Sequence, residues 1–246
     1  MKNIFKLFWL FFIPLFLIAC SEDDDNAYGD ADLEVTKLAV NDIKASDVPA
    51  LFAKNGIIYH PIDKVCWAES FPYAPKAAFA IAHTGNSLLV HYKVTEHPVL
   101  GNIAEDNGSV WQESCVELFA SMPGESEYYN IEVNCLGYAL QEVGTSRNDR
   151  EMASLSNLKQ IDRWASLGSK PVGRIDSETS WEVALVVPIQ AFWQTKLQSF
   201  DNALLKGNIY HCIGSGDERC YLTWKPISTP KPDFHQPSFF GTIHCQ

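Results

Sequence analysis

The chain has 246 residues, 30 acidic against 19 basic side chains, a net charge of −11 and 46% hydrophobic content. That length suits one or two domains, and a 12% aromatic share with only three methionines fits a packed globule, not a coiled coil or an unfolded chain. The charge excludes nucleic acid as a partner, because phosphate binding needs a basic face, and it disfavours loose adsorption to anionic membranes.

Residues 1–19 read as an export signal. Lys2 and Lys6 precede an apolar run of 13 residues from Leu7 to Ala19, too short to span a bilayer and right for a secretory core. The segment Leu17-Ile18-Ala19-Cys20 resembles a bacterial lipobox, which implies that Cys20 is lipidated and becomes the mature N-terminus. Ser21-Glu22-Asp23-Asp24-Asp25-Asn26 follows at once and resembles the surface-export signal of Bacteroidetes lipoproteins. Residues 20–32 are therefore expected to form an acidic tether, and the protein to sit on the outer membrane facing outward. The membrane is then an anchor and nothing more.

Residues 33–246 read as one domain. Leu33 to Phe52 suggests an edge strand followed by a short helix. Ala77–Ala82 and the alternating stretch Leu88–Thr95 form a hairpin about Thr84-Gly85-Asn86, since period-two alternation marks a half-buried strand. Asn107-Gly108 turns the chain before a strand at Val110–Ala120. Tyr128–Leu136 and Ala139–Val143 follow as strands, and residues 144–170 break the rhythm as one short helix or an irregular lobe. Further strands are expected at Glu182–Val187, Ile209–Ile213, Cys220–Trp224 and Phe239–His244, with a helical turn at Ile189–Trp193. Many short strands with frequent turns predict an all-β fold, a single antiparallel β-sandwich with one or two short helices.

Six cysteines remain besides Cys20. Outside the cytoplasm they can pair, Cys212 and Cys220 being the best local candidates across Gly214-Ser215-Gly216, or stay as free buried thiols. None has zinc-finger spacing.

Two segments carry chemistry. In Trp111-Gln112-Glu113-Ser114-Cys115-Val116-Glu117-Leu118-Phe119, alternation puts Cys115, Glu117 and Phe119 on one face. A mid-strand glutamate is costly to bury unpaired, so that face is expected to be a wet groove or to hold a partner. Glu132 and Asn134 share a face of the next strand and would complete a polar cluster with Glu117. The second segment, Pro230-Lys231-Pro232-Asp233-Phe234-His235-Gln236-Pro237-Ser238-Phe239-Phe240-Gly241, holds Phe234 in a proline-stiffened loop, which reduces the entropy lost when a ligand docks.

The first segment resembles the Trp-x-x-(Asp/Ser)-x-Val-Glu-(Ile/Phe)-Phe strand of family 9 carbohydrate-binding modules. The closing Phe-His-x-Pro-x-x-Phe-Gly resembles their C-terminal Trp-x-x-Pro-x-x-Phe-Gly. The similarity runs from about Ile57 to the end. It implies an immunoglobulin-like or jelly-roll sandwich related to DOMON domains, which clamps one sugar ring between two aromatic side chains. The expected partner is an oligosaccharide or polysaccharide, and the expected context is its breakdown alongside polysaccharide-degrading enzymes. Carried over by position, Trp111 is the first stacking ring and Phe234 stands where a second tryptophan is usual. Glu117 is a sugar-gripping glutamate, Glu132 replaces an arginine, and Asn134 lies next on the same face. His235 follows Phe234 in the motif, and Tyr210 and Trp224 are further candidates. The family also brings structural calcium into view, without a ligand set in this sequence.

Two other functions compete. Glu117 and Glu132 could be the paired carboxylates of a glycosidase. Some DOMON relatives bind haem through Met and His, for which Met122, Met152 and the seven histidines are the available residues. No Gly-x-Ser-x-Gly elbow or phosphate loop is present.

Overall fold

The computed structural model describes residues 31–246. The expected export signal, Cys20 and all but the last two residues of the tether lie outside the described residues. The chain forms β1 (Leu33–Lys37), α1 (Val48–Asn55), β2 (His60–Pro61), β3 (Lys64–Val65), β4 (Lys76–His83), β5 (Ser87–Glu96) and β6 (Val99–Gly101). It continues through β7 (Ser114–Ser121), β8 (Tyr128–Asn134), β9 (Ala139–Ser146), β10 (Asp149–Met152), α2 (Leu155–Leu158) and β11 (Asp162–Ala165). Then come β12 (Gly173–Ile175), β13 (Thr179–Pro188), β14 (Leu204–Ile213), β15 (Cys220–Thr223) and β16 (Gly241–Cys245). No helix among the described residues is long and apolar enough to cross a membrane.

Two sheets pack face to face, as the alternation predicts. One runs β10-β9-β8-β7-β14-β16, with β15 also on β14, and the other runs β4-β5-β13-β11. β1 joins them. Leu33–Val35 pairs in parallel with β16, and Thr36–Lys37 pairs in parallel with β4. The strand expected at an edge is thus the seam of the sandwich. Asp32, the last residue assigned to the tether, is fixed there: its carboxylate accepts from Thr242 N at 2.8 Å and meets Lys225 Nζ.

Val116, Leu118, Ile131, Val133 and Ile209 of the first sheet share the inter-sheet core with Val90, Tyr92, Val183 and Leu185 of the second. The outer face of the second sheet is also dry. Val48 and Phe52 of α1 lie on Ala80, Ala82, Leu89, Ala184 and Val186, and the three alanines leave room for the helix to approach. Both faces of β5 are consequently buried, which explains why its polar positions do not all reach water; His91 is bonded to Tyr59 and Glu182 instead.

Residues 144–170 are more regular than expected. Their strands β10 and β11 edge the first and second sheet respectively, and α2 between them starts on Ser154, whose hydroxyl accepts from Asn157 N at 3.2 Å. The strand expected from Val110 begins only at Ser114, because Val110–Gln112 forms a 3-10 turn. Glu113 then ties the turn down, accepting from the backbone N–H groups of Asn102 and Ile103.

All six cysteines among the described residues are free. Cys212 pairs across the ladder with Tyr221, and Cys220 with Ile213. The two are thus one step out of register, and one step turns a side chain to the opposite face. The suggested Cys212–Cys220 bridge is excluded by that register.

Candidate functional site

The outer face of the first sheet carries a row across four strands: Leu140 on β9, Glu132 on β8, Glu117 on β7 and Tyr210 on β14 are successive cross-strand partners. Period two puts all of them on the side away from the core. Around the two glutamates lies a cleft of about 300 Å³.

One wall is the loop before β16. Trp67 Nε1 donates to Thr229 O at 2.8 Å and anchors its start. Phe234 then stacks on Tyr210 with centroids 4.1 Å apart and planes within 3°, while Tyr210 Oη donates to Phe234 O at 3.1 Å. Trp67 and Tyr221 pack against the same ring. Phe234 is only 8% exposed but presents its free side to the cleft. Its ring is therefore set before any ligand arrives.

Trp111 also lines the cleft and is 41% exposed. Buried Val110 anchors its turn, and Gly214 lets that turn sit against the end of β14. A Cβ on Gly214 would lie 2.4 Å from Trp111 O. At the cleft mouth, Arg147 reaches from the β9–β10 hairpin to Asp233, Nη1 to Oδ1 at 3.1 Å. Asp233 also accepts from His235 N and Gln236 Nε2, so the hairpin and the loop are held together across the opening.

The floor is acidic and almost dry. Glu117 is 2% and Glu132 4% exposed. Glu117 accepts from Cys212 Sγ at 3.2 Å, and Glu132 Oε1 accepts from Asn130 Nδ2 at 2.9 Å. Glu132 Oε2 is buried with no hydrogen-bond partner. Burial pushes the Glu132 carboxyl up to about 7, with Glu142 adding to the effect. Burial and then the neighbouring Glu132 raise Glu117 well above the usual carboxylate range. Two adjacent carboxyls in so little water hold a proton between them near neutrality. His235, bonded through Nδ1 to Tyr128 Oη at 3.0 Å, is pushed down to about 3 by burial and then by Arg150 and Arg147, so it stays neutral.

Five of the residues expected from the sequence line one cleft: Trp111, Glu117, Glu132, Phe234 and His235. Three do not. Asn134 sits at the end of β8, where its amide donates to Ile103 O and its Oδ1 accepts from the N–H groups of Leu136 and Tyr138. It ties a turn and leaves the expected polar cluster to the two glutamates. Tyr210 lies behind Phe234, and Trp224 packs edge-on against Phe79 at 5.8 Å. Arg147, Asp233, Glu142 and Tyr221 line the cleft without having been singled out from the sequence. Arg147 lies at the tip of a hairpin read as an irregular lobe, and no local pattern marks it.

Cys115, Glu117 and Cys212 bring three donor atoms within 4.8 Å of one another. Two sulfurs suit a soft metal, whereas calcium takes roughly six to eight oxygens, so this cluster does not fit the calcium that the resemblance implied. Burial pushes the Cys115 thiol up to about 12, and the bond from Cys115 followed by burial raises Cys212 well above its usual range. Both act here as thiol donors. Of the methionines considered for haem, Met122 is buried in the inter-sheet core and Met152 is exposed on edge strand β10.

The family model for carbohydrate-binding family 9 matches residues 46–245. A crystal structure from Bacteroides uniformis, provisionally described as a carbohydrate-binding protein, is 40% identical with a TM-score of 0.84, covering 87% of this chain and 98% of that one. A family 9 module from Caldicellulosiruptor kristjanssonii in complex with cellotriose is 14% identical with a TM-score of 0.52, over 87% of this chain and 93% of that one. The same source's module in complex with glucose is 13% identical with a TM-score of 0.52, over 87% and 95%. At that identity these last two speak for the fold alone. No curated protein matches the chain.

Proposed function

The chain belongs to carbohydrate-binding family 9, and on that premise we propose that it holds a single sugar ring in the cleft between Trp111 and Phe234. The observation that carries this reading is the placement of an exposed indole and a pre-set phenyl along one concavity with hydrogen-bonding carboxyls beneath. Sugar C–H faces stack on aromatic rings, and hydroxyls brought out of water need partners. The role is capture without cleavage. Glu117 and Glu132 are direct cross-strand partners, so they rise side by side from one floor, an arrangement that supports gripping one face of a ligand.

Calorimetric titration with neutral and amino-bearing mono- and oligosaccharides tests this. Trp111→Ala is expected to weaken binding about tenfold, or roughly 1.4 kcal/mol, through loss of the stacking face. Unchanged affinity in that variant would remove the indole from the site.

The module is placed at the cell surface by a lipid on Cys20, serving polysaccharide capture beside degrading enzymes. The lipobox-like segment and the acidic run behind it support this. Radiolabelled fatty acid should be incorporated by cells making the protein and not by cells making Cys20→Ala.

A further inference from the structure

Four carboxylates line the cleft, Glu117, Glu132, Glu142 and Asp233, against one arginine, Arg147. Their partners are unequally shared. Arg147 is bonded to Asp233. Arg150, almost fully buried behind the cleft, lies 3.4 Å from Glu142 and directs its remaining N–H groups at Asn130 Oδ1 and backbone carbonyls. His211 projects from β14 toward the core, where it meets Glu96 at 2.8 Å. These three cations are thus bonded to other partners, and none of them is within ion-pair distance of Glu117 or Glu132 among the described residues. Glu117 and Glu132, nine-tenths buried and directly opposite each other, have only a thiol and an amide as donors, and Glu132 Oε2 has none.

A carboxyl pair that shares a negative charge on the floor of a ligand cleft, with no cation bonded to it, is expensive to keep unless the ligand supplies the opposite charge. We infer that the sugar taken by this cleft carries a protonated amine, whose ammonium group sits against the Glu117 and Glu132 carboxyls on the cleft floor. The inference rests on the reading of this cleft as the sugar site and adds the class of sugar. An ammonium has three N–H donors and no acceptor, which matches a floor made of acceptors. A neutral hydroxyl would satisfy one oxygen and leave the charge uncompensated. The two neighbouring sulfurs are protonated thiols, so the floor offers hydrogen bonds and carboxylate charge, the donor set for an organic cation.

The test compares glucosamine, N-acetylglucosamine and glucose as probes, titrated into the protein at pH 7 and moderate salt. The amine should bind about tenfold or more tighter than both neutral sugars, the range expected for a hydrogen-bonded charge pair. In Glu132→Gln that preference, read as the ratio of amine to neutral-sugar affinity within the same variant, should fall to about twofold or less; thermal melting confirms that the variant is folded. Glu117→Gln repeats the measurement from the other strand. Equal or tighter binding of glucose overturns the inference and leaves the sugar cleft standing. An amine preference that survives both substitutions overturns it too, by assigning the effect to the acidic surface at large. Binding of none of the three overturns the inference together with the cleft assignment.

Discussion

Replacing Glu132 by glutamine is expected to stabilise the ligand-free protein, and to do so only as the pH rises. In the unfolded chain this carboxyl titrates near 4.5, whereas burial holds it at about 7 in the fold. Between those values the folded state keeps a proton that the unfolded state has lost, so stability falls as pH climbs through that window. Above about 7 both states are ionised and the penalty stays constant. A separation from 4.5 to about 7 corresponds to roughly 3 kcal/mol. Glutamine carries no such penalty. Its carbonyl can still accept from Asn130 Nδ2, and its new N–H groups face the acceptors of Glu117. Urea unfolding of both proteins from pH 4 to pH 9 measures the difference directly. The two midpoints should nearly coincide at pH 4, diverge as the pH rises from about 4.5 to about 7 and keep a constant separation above that, with the variant the more stable. A variant destabilised by the same amount at every pH would refute the reasoning, because it would show a carboxylate already compensated within the fold.

Three further outcomes follow from the geometry. His211 is held up at about 10, since Glu96 and Cys220 outweigh the downward effect of burial; its stabilising charge is fully present below about 6.5 and lost as pH rises through about 10. His211→Gln should therefore cost about 3–5 kcal/mol in denaturant unfolding at neutral pH, by leaving Glu96 buried without its partner. Gly214→Ala should cut sugar affinity in calorimetry more than it lowers the melting temperature, because the added Cβ must move the backbone that carries Trp111. Arg147→Ala should leave stability within about 0.5 kcal/mol, as expected for an exposed ion pair, but release Asp233 and weaken sugar binding a few-fold in the same assay.

Period two was enough to put Glu117 on one face with Cys115 and Phe119 and Glu132 on one face with Asn134, and proline spacing was enough to mark Phe234 as held. Their convergence needed more. Which residues of β7, β8 and β14 stand opposite one another is decided by inter-strand register, and no local pattern encodes it. Asn134 shows where alternation stops being informative. It is the last residue of β8, and there the unsatisfied N–H groups of the Leu136–Tyr138 turn compete for its side chain and win. Tyr210 sits in the right row but is covered, because the loop that crosses it comes from 24 residues further along. The seam position of β1 was equally hidden. Nothing within five residues tells a strand with one neighbour from a strand with two.

That seam bears on how the domain would carry load. β1 lies parallel to both β16 and β4. A pull arriving from the N-terminal side therefore runs along its axis and strains the flanking hydrogen bonds abreast, so that they resist jointly and do not unzip in turn. If a captured polymer drags on the domain while its leading end is tied down, this five-residue ribbon is where the tension enters, and it passes first to the β16 side through Leu33–Val35 and then to the β4 side through Thr36–Lys37.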